Sequence, residues 1–157
     1  PQGTAVSARA MGGAPAVIIV VGVDGSDPSK EGLRKAIEMA EGLGAELHVI
    51  HAVHIPGTLL AVLNQVPADI AQLEKAQRDS VWEMAGPLLD GTSAAVKRID
   101  LAGYPADALV EYAEEVGAEL IVIGSRGRGE LAALFLGSTS HRILHLAHCD
   151  VLVVKGG

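Results

Sequence analysis

Five short runs rich in Val, Ile and Leu alternate along this chain with four stretches whose apolar residues recur at helical spacing. Such alternation admits few solutions: a parallel sheet, right-handed crossovers and helices on both faces. AVIIVVGVD, residues 16–24, is continuously β-branched, as a strand buried on both faces should be. Gly25-Ser26-Asp27-Pro28-Ser29 breaks it, with Ser29 the expected N-cap of a helix striped by Leu33, Ala36, Ile37, Ala40 and Leu43. Gly44 ends that helix, and ELHVIHAV forms a second strand. Residues 54–66 read as a loop and Asp69 to Leu89 as a long helix. AAVKRIDLA alternates like an edge strand with one wet side. Pro105 opens a third helix, striped by Leu109, Val110, Ala113 and Val116. ELIVIG, a helix from Ser138 to Ala147, and DVLVVK complete the order.

The expected fold is therefore α/β: a Rossmann-like three-layer sandwich around a five-stranded parallel sheet of order 3-2-1-4-5. Composition agrees, since aromatics are 3% of the chain and the core must come from Val, Ile, Leu and Ala. With 157 residues there is room for one domain, assigned to 16–157. Residues 1–15, rich in Gly, Ala and Pro, read as a flexible tail with Met11 as a candidate natural start. One joint recurs: Gly44-Ala45-Glu46-Leu47 and Gly117-Ala118-Glu119-Leu120 suggest the same helix-to-strand turn used twice.

Charge and cysteine content exclude several functions. A net charge of −7 repels phosphate backbones, so nucleic-acid binding is not expected. The single Cys149 rules out an internal disulfide framework and reads as a packed small residue. The longest apolar run, Ala16–Val21, is far short of a membrane span, and no secretory signal is evident. A cytoplasmic location is the expectation.

Sheets of this kind bind ligands at the carboxyl ends of the strands, where the strand order reverses. That point lies between strands one and four. It brings Asp24 near the segment Gly124-Ser125-Arg126-Gly127-Arg128-Gly129, ELAALFL, Gly137-Ser138-Thr139-Ser140. Gly124 and Gly127 permit positive φ and close approach of backbone N–H groups to a phosphate. Gly137-Ser138 begins a helix whose N-terminus favours negative charge, with hydroxyls from Ser138, Thr139 and Ser140. Arg126 and Arg128 add two cations in an otherwise acidic protein. Asp24 suits hydrogen bonds from an adenine amino or ribose hydroxyl, and serves equally well as a cap for its own turn.

Gly124-x2-Gly127-x9-Gly137-Ser138 resembles the ATP-binding signature of the universal stress proteins. The resemblance runs over residues 16–155 and includes VGVDGS, the strand ending in Ala52-Val53, SHRILHLAHC and VLVVK. It implies that Asp24 and Val53 border an adenine, while Gly124, Gly127, Gly137 and Ser138 hold ribose and phosphates. Val23, Arg126 and Thr139 are adjacent candidates. The implied ligand is ATP, with Mg2+ where the triphosphate brings it. The implied role is a regulator or sensor, in which occupancy orders the 125–137 loop and alters a surface seen by a partner protein. The alternative is a slow ATPase or phosphotransferase, for which Glu130 and His141 are the nearest bases. The family also implies a homodimer paired through the last strand, with Val151 and Val153 central. Asp150 departs from the proline often found there.

Other constellations weigh less. A phosphoacceptor receiver could use Asp24, Asp100 and Lys155, but lacks a second acid beside Asp24 and has no use for the glycine loop. The turn after the first strand lacks the paired glycines of an SGGxDS pyrophosphate loop, and no G-x-x-x-x-G-K-[ST] occurs. His48, His51 and His54 alternate faces on a strand and cannot converge. His141, His145 and His148 fall near one helical face, a spacing that suits a metal, but no carboxylate joins them and ordinary histidine roles are favoured. No metal site is expected.

Overall fold

The computed structural model describes residues 16–54, 67–125 and 136–156. The tail at 1–15, most of the 54–66 loop, and Arg126 to Gly129 with Glu130 lie outside the described residues. The elements are β1 (Ile18–Gly22), α1 (Asp27–Leu43), β2 (Glu46–Val53), α2 (Pro67–Asp90), β3 (Ala95–Ala102), α3 (Pro105–Val116), β4 (Leu120–Gly124), α4 (Ser138–Leu146) and β5 (Asp150–Val154). All neighbouring strands pair in parallel, in the order β3-β2-β1-β4-β5. This is the three-layer sandwich expected from the sequence.

Strand periodicity divides the core in two. Ile19, Val21, Leu47, Val49 and Val122 face one way and pack on Leu33, Ala36 and Ala40 of α1 and Val81 and Ala85 of α2. Val20, Ile50, Ile121 and Ile123 face the other and pack on Leu109, Val110 and Ala113 of α3 and Ile143 of α4. Successive side chains of a strand point to opposite faces, so a continuous apolar run serves both layers. β3 does not keep the single wet side expected of it: half-buried Val96 packs on one layer and Ile99 and Leu101 on the other, while Lys97, Arg98 and Asp100 stay exposed.

The repeated Gly-Ala-Glu-Leu is one joint built twice. Gly44 and Gly117 take left-handed φ of 62° and 67° just past α1 and α3. Ala45 N–H donates to Ala40 O and Ala118 N–H to Ala113 O, each at 2.8 Å, the long bond of a Schellman cap. Glu46 N–H then donates to Val17 O at 2.8 Å and Glu119 N–H to Ile18 O at 3.0 Å, which starts each new strand beside β1.

Two local expectations shift. The N-cap of α1 is Ser26, whose hydroxyl accepts from Ser29 N–H at 3.3 Å, so the helix begins two residues before Ser29. Pro28 explains this, since its missing N–H and fixed φ suit the first helical turn. Leu43 is 61% exposed, so the buried stripe of α1 ends at Ala40.

His48 and His51 are both buried, on opposite faces of β2. His48 Nδ1 meets Tyr112 Oη of α3 at 2.9 Å, while its Nε2 meets Glu46 Oε1 at 3.0 Å. His51 Nδ1 lies 3.3 Å from Asp100 Oδ1, which also accepts from Trp82 Nε1–H of α2 at 2.9 Å. Burial pushes the His51 pKa below its ordinary value, against the upward pull of Asp100. The unfolded chain then binds a proton at this position that the folded chain resists. Stability should fall as pH drops from about 6.5 toward the lowered folded pKa, because the unfolded state gains protons first. His51→Gln should flatten that part of a stability–pH profile measured by urea denaturation. An unchanged slope would show that His51 does not carry it.

Candidate functional site

The carboxyl ends of β1 and β4 diverge, and a cavity opens between them. Its wall includes Val23 and Asp24 after β1, Ile50 and Ala52 of β2, Pro105 and Leu109 of α3, Gly124 of β4, and Thr139, Ser140 and Ile143 of α4. The wall is mostly aliphatic, with polar groups at its rim. That composition suits a flat, partly apolar ligand with a polar appendage.

Gly124 is the hinge of this region, for a reason the sequence conceals. A Cβ there would sit 2.6 Å from Pro28 C, 2.7 Å from Ser29 N and 2.8 Å from Pro28 O. The first turn of α1 thus rests directly on the end of β4. The described glycines with positive φ are Gly25, Gly44, Gly103 and Gly117, so backbone freedom is not what Gly124 supplies. Close packing is.

Asp24 performs the turn role expected as one of its two readings. Its Oδ1 accepts from Ser26 N–H at 2.9 Å and from Ser26 Oγ–H at 2.5 Å. Its backbone N–H donates to Ser29 Oγ at 3.3 Å, and Gly25 takes φ 84° to close the turn. These bonds fix the carboxylate at the cavity rim, so the cap and a ligand-facing role are compatible.

The glycine-rich segment is tied at both ends. Ser125 N–H donates to Val154 O of β5 and Gly137 N–H donates to Ser125 O, both at 2.8 Å. The two described ends of the segment, Ser125 and Gly137, are thus bonded to each other at the N-terminus of α4. Gly137 is the N-cap of α4 at φ −64° and ψ 161°, and has no side chain to offer as a cap. Ser140, 3% exposed, donates its hydroxyl to Gly124 O at 2.8 Å and locks α4 to the end of β4. Beside the cavity, Tyr104, Ala106, Asp107, Ser138, Thr139 and Arg142 line a groove where the N-termini of α3 and α4 converge. Two helix N-termini aimed at one groove favour an anion there. Arg142 is held by a two-pronged bond to Asp107, with Nε–Oδ2 at 3.2 Å and Nη2–Oδ1 at 2.9 Å.

Of the residues singled out from sequence, Val23, Asp24, Gly124 and Thr139 meet at the cavity, Ser138 lines the adjoining groove, and Gly137 caps the helix between them. Arg126 and Gly127 lie outside the described residues. Val53 does not contribute its side chain to the wall. Period-two alternation puts Ala52 on the cavity face instead, while Val53 O accepts from Gly103 N–H at 3.2 Å. The reading missed Ala52, Pro105, Leu109 and Ile143, which looked like ordinary core and helix positions. Ser140 was visible in Gly-Ser-Thr-Ser, but as a ligand donor rather than a structural tie.

The sequence model of the Universal stress protein family matches residues 17–155. A universal stress protein of Methanocaldococcus jannaschii is 33% identical over 142 residues, covering 87% of this chain and 81% of that protein. Universal stress protein YxiE of Bacillus subtilis is 32% identical over 145 residues, covering 87% of this chain and 97% of the other. A longer universal stress protein of Mycobacterium tuberculosis is 33% identical, and the match spans 45% of its length. Among solved structures, a universal stress protein in complex with cAMP superposes with a TM-score of 0.70 at 27% identity, covering 92% of this chain and all of that one. The Archaeoglobus fulgidus universal stress protein in complex with dAMP gives a TM-score of 0.65 at 26% identity, covering 88% and 98%. With sheet order, glycine signature and near-complete coverage in agreement, the chain belongs to the universal stress protein family.

Proposed function

We propose that this protein is an adenine-nucleotide-binding regulatory module that holds ATP at the β1/β4 switch point. The observation that carries the reading is the convergence of three features on one cavity. These are an aliphatic slot sized by Val23, Ile50, Ala52 and Leu109, the Asp24 carboxylate at its rim, and the tied ends of the glycine segment over the first turn of α4. The adenine would lie in the slot, with ribose toward Gly124 and phosphates along the N-terminus of α4 under Gly127, Gly137, Ser138 and Thr139. The two related proteins solved with cAMP and dAMP support an adenine ligand. Arg126 and Arg128 favour the triphosphate over less charged nucleotides. Mg2+ would arrive with the triphosphate, coordinated largely by its oxygens and by water.

Regulation is favoured over catalysis because, among the described residues, no general base other than Asp24 lines the cavity. Asp24 has its Oδ1 engaged in the turn by Ser26 N–H and Ser26 Oγ–H. His141 is exposed and sits on the far side of α4 from the buried Ile143. Hydrolysis of bound ATP should run far below the roughly 10 s⁻¹ of a typical enzyme. A steady-state phosphate-release assay at or above that rate would place the protein among the ATPases. Native mass spectrometry of the protein as purified reports bound nucleotide and oligomeric state together.

The same reading includes a homodimer. β5 lies at the sheet edge, and its Val151, Leu152, Val153 and Val154 stay partly exposed although apolar. Such an edge is a liability unless another strand pairs with it. Pairing across a two-fold axis would cover it with its own copy. Val153→Pro removes a ladder donor and should yield monomer or aggregate on a sizing column. An unchanged dimer would move the interface elsewhere.

A further inference from the structure

We infer that His141 and His145 form a chelating site for a divalent transition-metal ion of the Zn2+, Ni2+ or Cu2+ type on the outer face of α4. The two residues are one helical turn apart, the spacing at which side chains on a helix surface meet. Their rings are stacked with centroids 5.4 Å apart and planes inclined by 26°. A tetrahedral ion holding two imidazole nitrogens at about 2.0–2.1 Å would set the ring centroids about 5 Å apart. The observed centroid spacing of 5.4 Å is close to that value.

The helix is anchored for this purpose by residues that face elsewhere. Ile143, between the two histidines, is fully buried, and Ser140 is bonded to Gly124 O. Arg142 is held laterally by Asp107. The fixed helix leaves both imidazoles exposed and side by side, and among the described residues neither has a hydrogen bond or ion pair to give up. His145 lies in the last turn of α4, where the helix dipole favours a cation. Imidazole ligands select Zn2+, Cu2+ and Ni2+ over Mg2+ and Ca2+, which require oxygen.

The third histidine of the sequence pattern separates from the pair. α4 ends at Leu146, and His148 lies beyond it with Nε2 3.7 Å from Glu114 Oε2. Among the described residues no third protein ligand joins the pair, so water fills the remaining positions. The site is distinct from the nucleotide cavity, whose wall is formed by the opposite face of the helix through Ile143.

The test is a calorimetric titration of the full chain, free of any affinity tag, with ZnCl2 in a non-chelating buffer at pH 7.5. One Zn2+ should bind per chain, and MgCl2 should give no saturable heat. His141→Ala and His145→Ala should each weaken Zn2+ at least tenfold, and the double variant should be no worse than either single, because one imidazole cannot chelate. His148→Ala should bind as the parent does. All three positions are exposed, so the metal-free melting temperature should not move. In imidazole ¹⁵N spectra of the parent, Zn2+ should shift the resonances of His141 and His145 and leave buried His48 and His51 unchanged. Absence of saturable Zn2+ binding at millimolar concentration, full retention of binding in both single variants, or dependence on His148 alone would each overturn the assignment.

Discussion

Gly124→Ala is expected to lower the melting temperature of the ligand-free protein by about 6–12 °C, the shift for roughly 3 kcal/mol in a domain of this size. The added Cβ would lie within 2.6–2.8 Å of three backbone atoms of Pro28 and Ser29. These atoms cannot yield cheaply. Ser26 caps the same turn, Lys30 N–H is bonded to Ser26 O at 3.0 Å, and Ser29 is buried. Relief would require α1 to lift from β4, opening the contact through which Leu33 and Ala36 join the core. Gly32→Ala is the control on the opposite side of the same contact. Its Cβ would meet Gly124 N and Ile123 C at 3.4 Å, ordinary contact, and alanine is the better helix former. Calorimetric melts of both variants decide the matter. Equal melting temperatures would mean that α1 tolerates displacement and that the glycine answers to the ligand alone.

Gly127→Val should abolish nucleotide binding while leaving the ligand-free melting temperature unchanged. Its described flanks, Ser125 and Gly137, are bonded to each other at the N-terminus of α4. A branched side chain there disfavours positive φ and blocks close approach of an N–H to a phosphate. No core contact is removed, so stability without ligand should hold. For the parent, ATP at about 100 times its dissociation constant adds roughly 2.7 kcal/mol, or about 5–11 °C. The variant should lose that shift. Arg126→Ala should weaken ATP more than adenosine, because it removes charge and leaves the base slot intact. Undiminished binding in the Gly127 variant would remove the phosphate-loop assignment and reduce Asp24 to a turn cap.

Sheet order and helix placement were legible in the sequence because their signals are local. Continuous apolar runs mark β1 and β4 as doubly buried, whereas His48 and His51 interrupt the run of β2 and are buried all the same; Gly44 and Gly117 announce the joints that return the chain to the sheet. The cavity was legible only in part. Asp24 and Gly-Ser-Thr carry polar chemistry and stand out, whereas Ala52, Leu109 and Ile143 look like any other core residue. Only the crossing of α3 and α4 above the strand ends makes them a wall. Gly124 shows the same limit from the other side. A glycine before a glycine-rich loop reads as a phosphate contact, yet its necessity comes from Pro28 and Ser29, nearly a hundred residues earlier. Val53 differs from its neighbour by one step of strand alternation, which a strand-end motif does not resolve.

Calorimetric titration of the full chain with ATP tests whether the β1/β4 cavity holds an adenine nucleotide. One ATP should bind per chain, AMP should compete for the same site, and Gly127→Val should give no saturable heat while melting as the parent does. A folded parent protein with no saturable binding at about 1 mM ATP, an affinity weaker than about −4 kcal/mol, would contradict it.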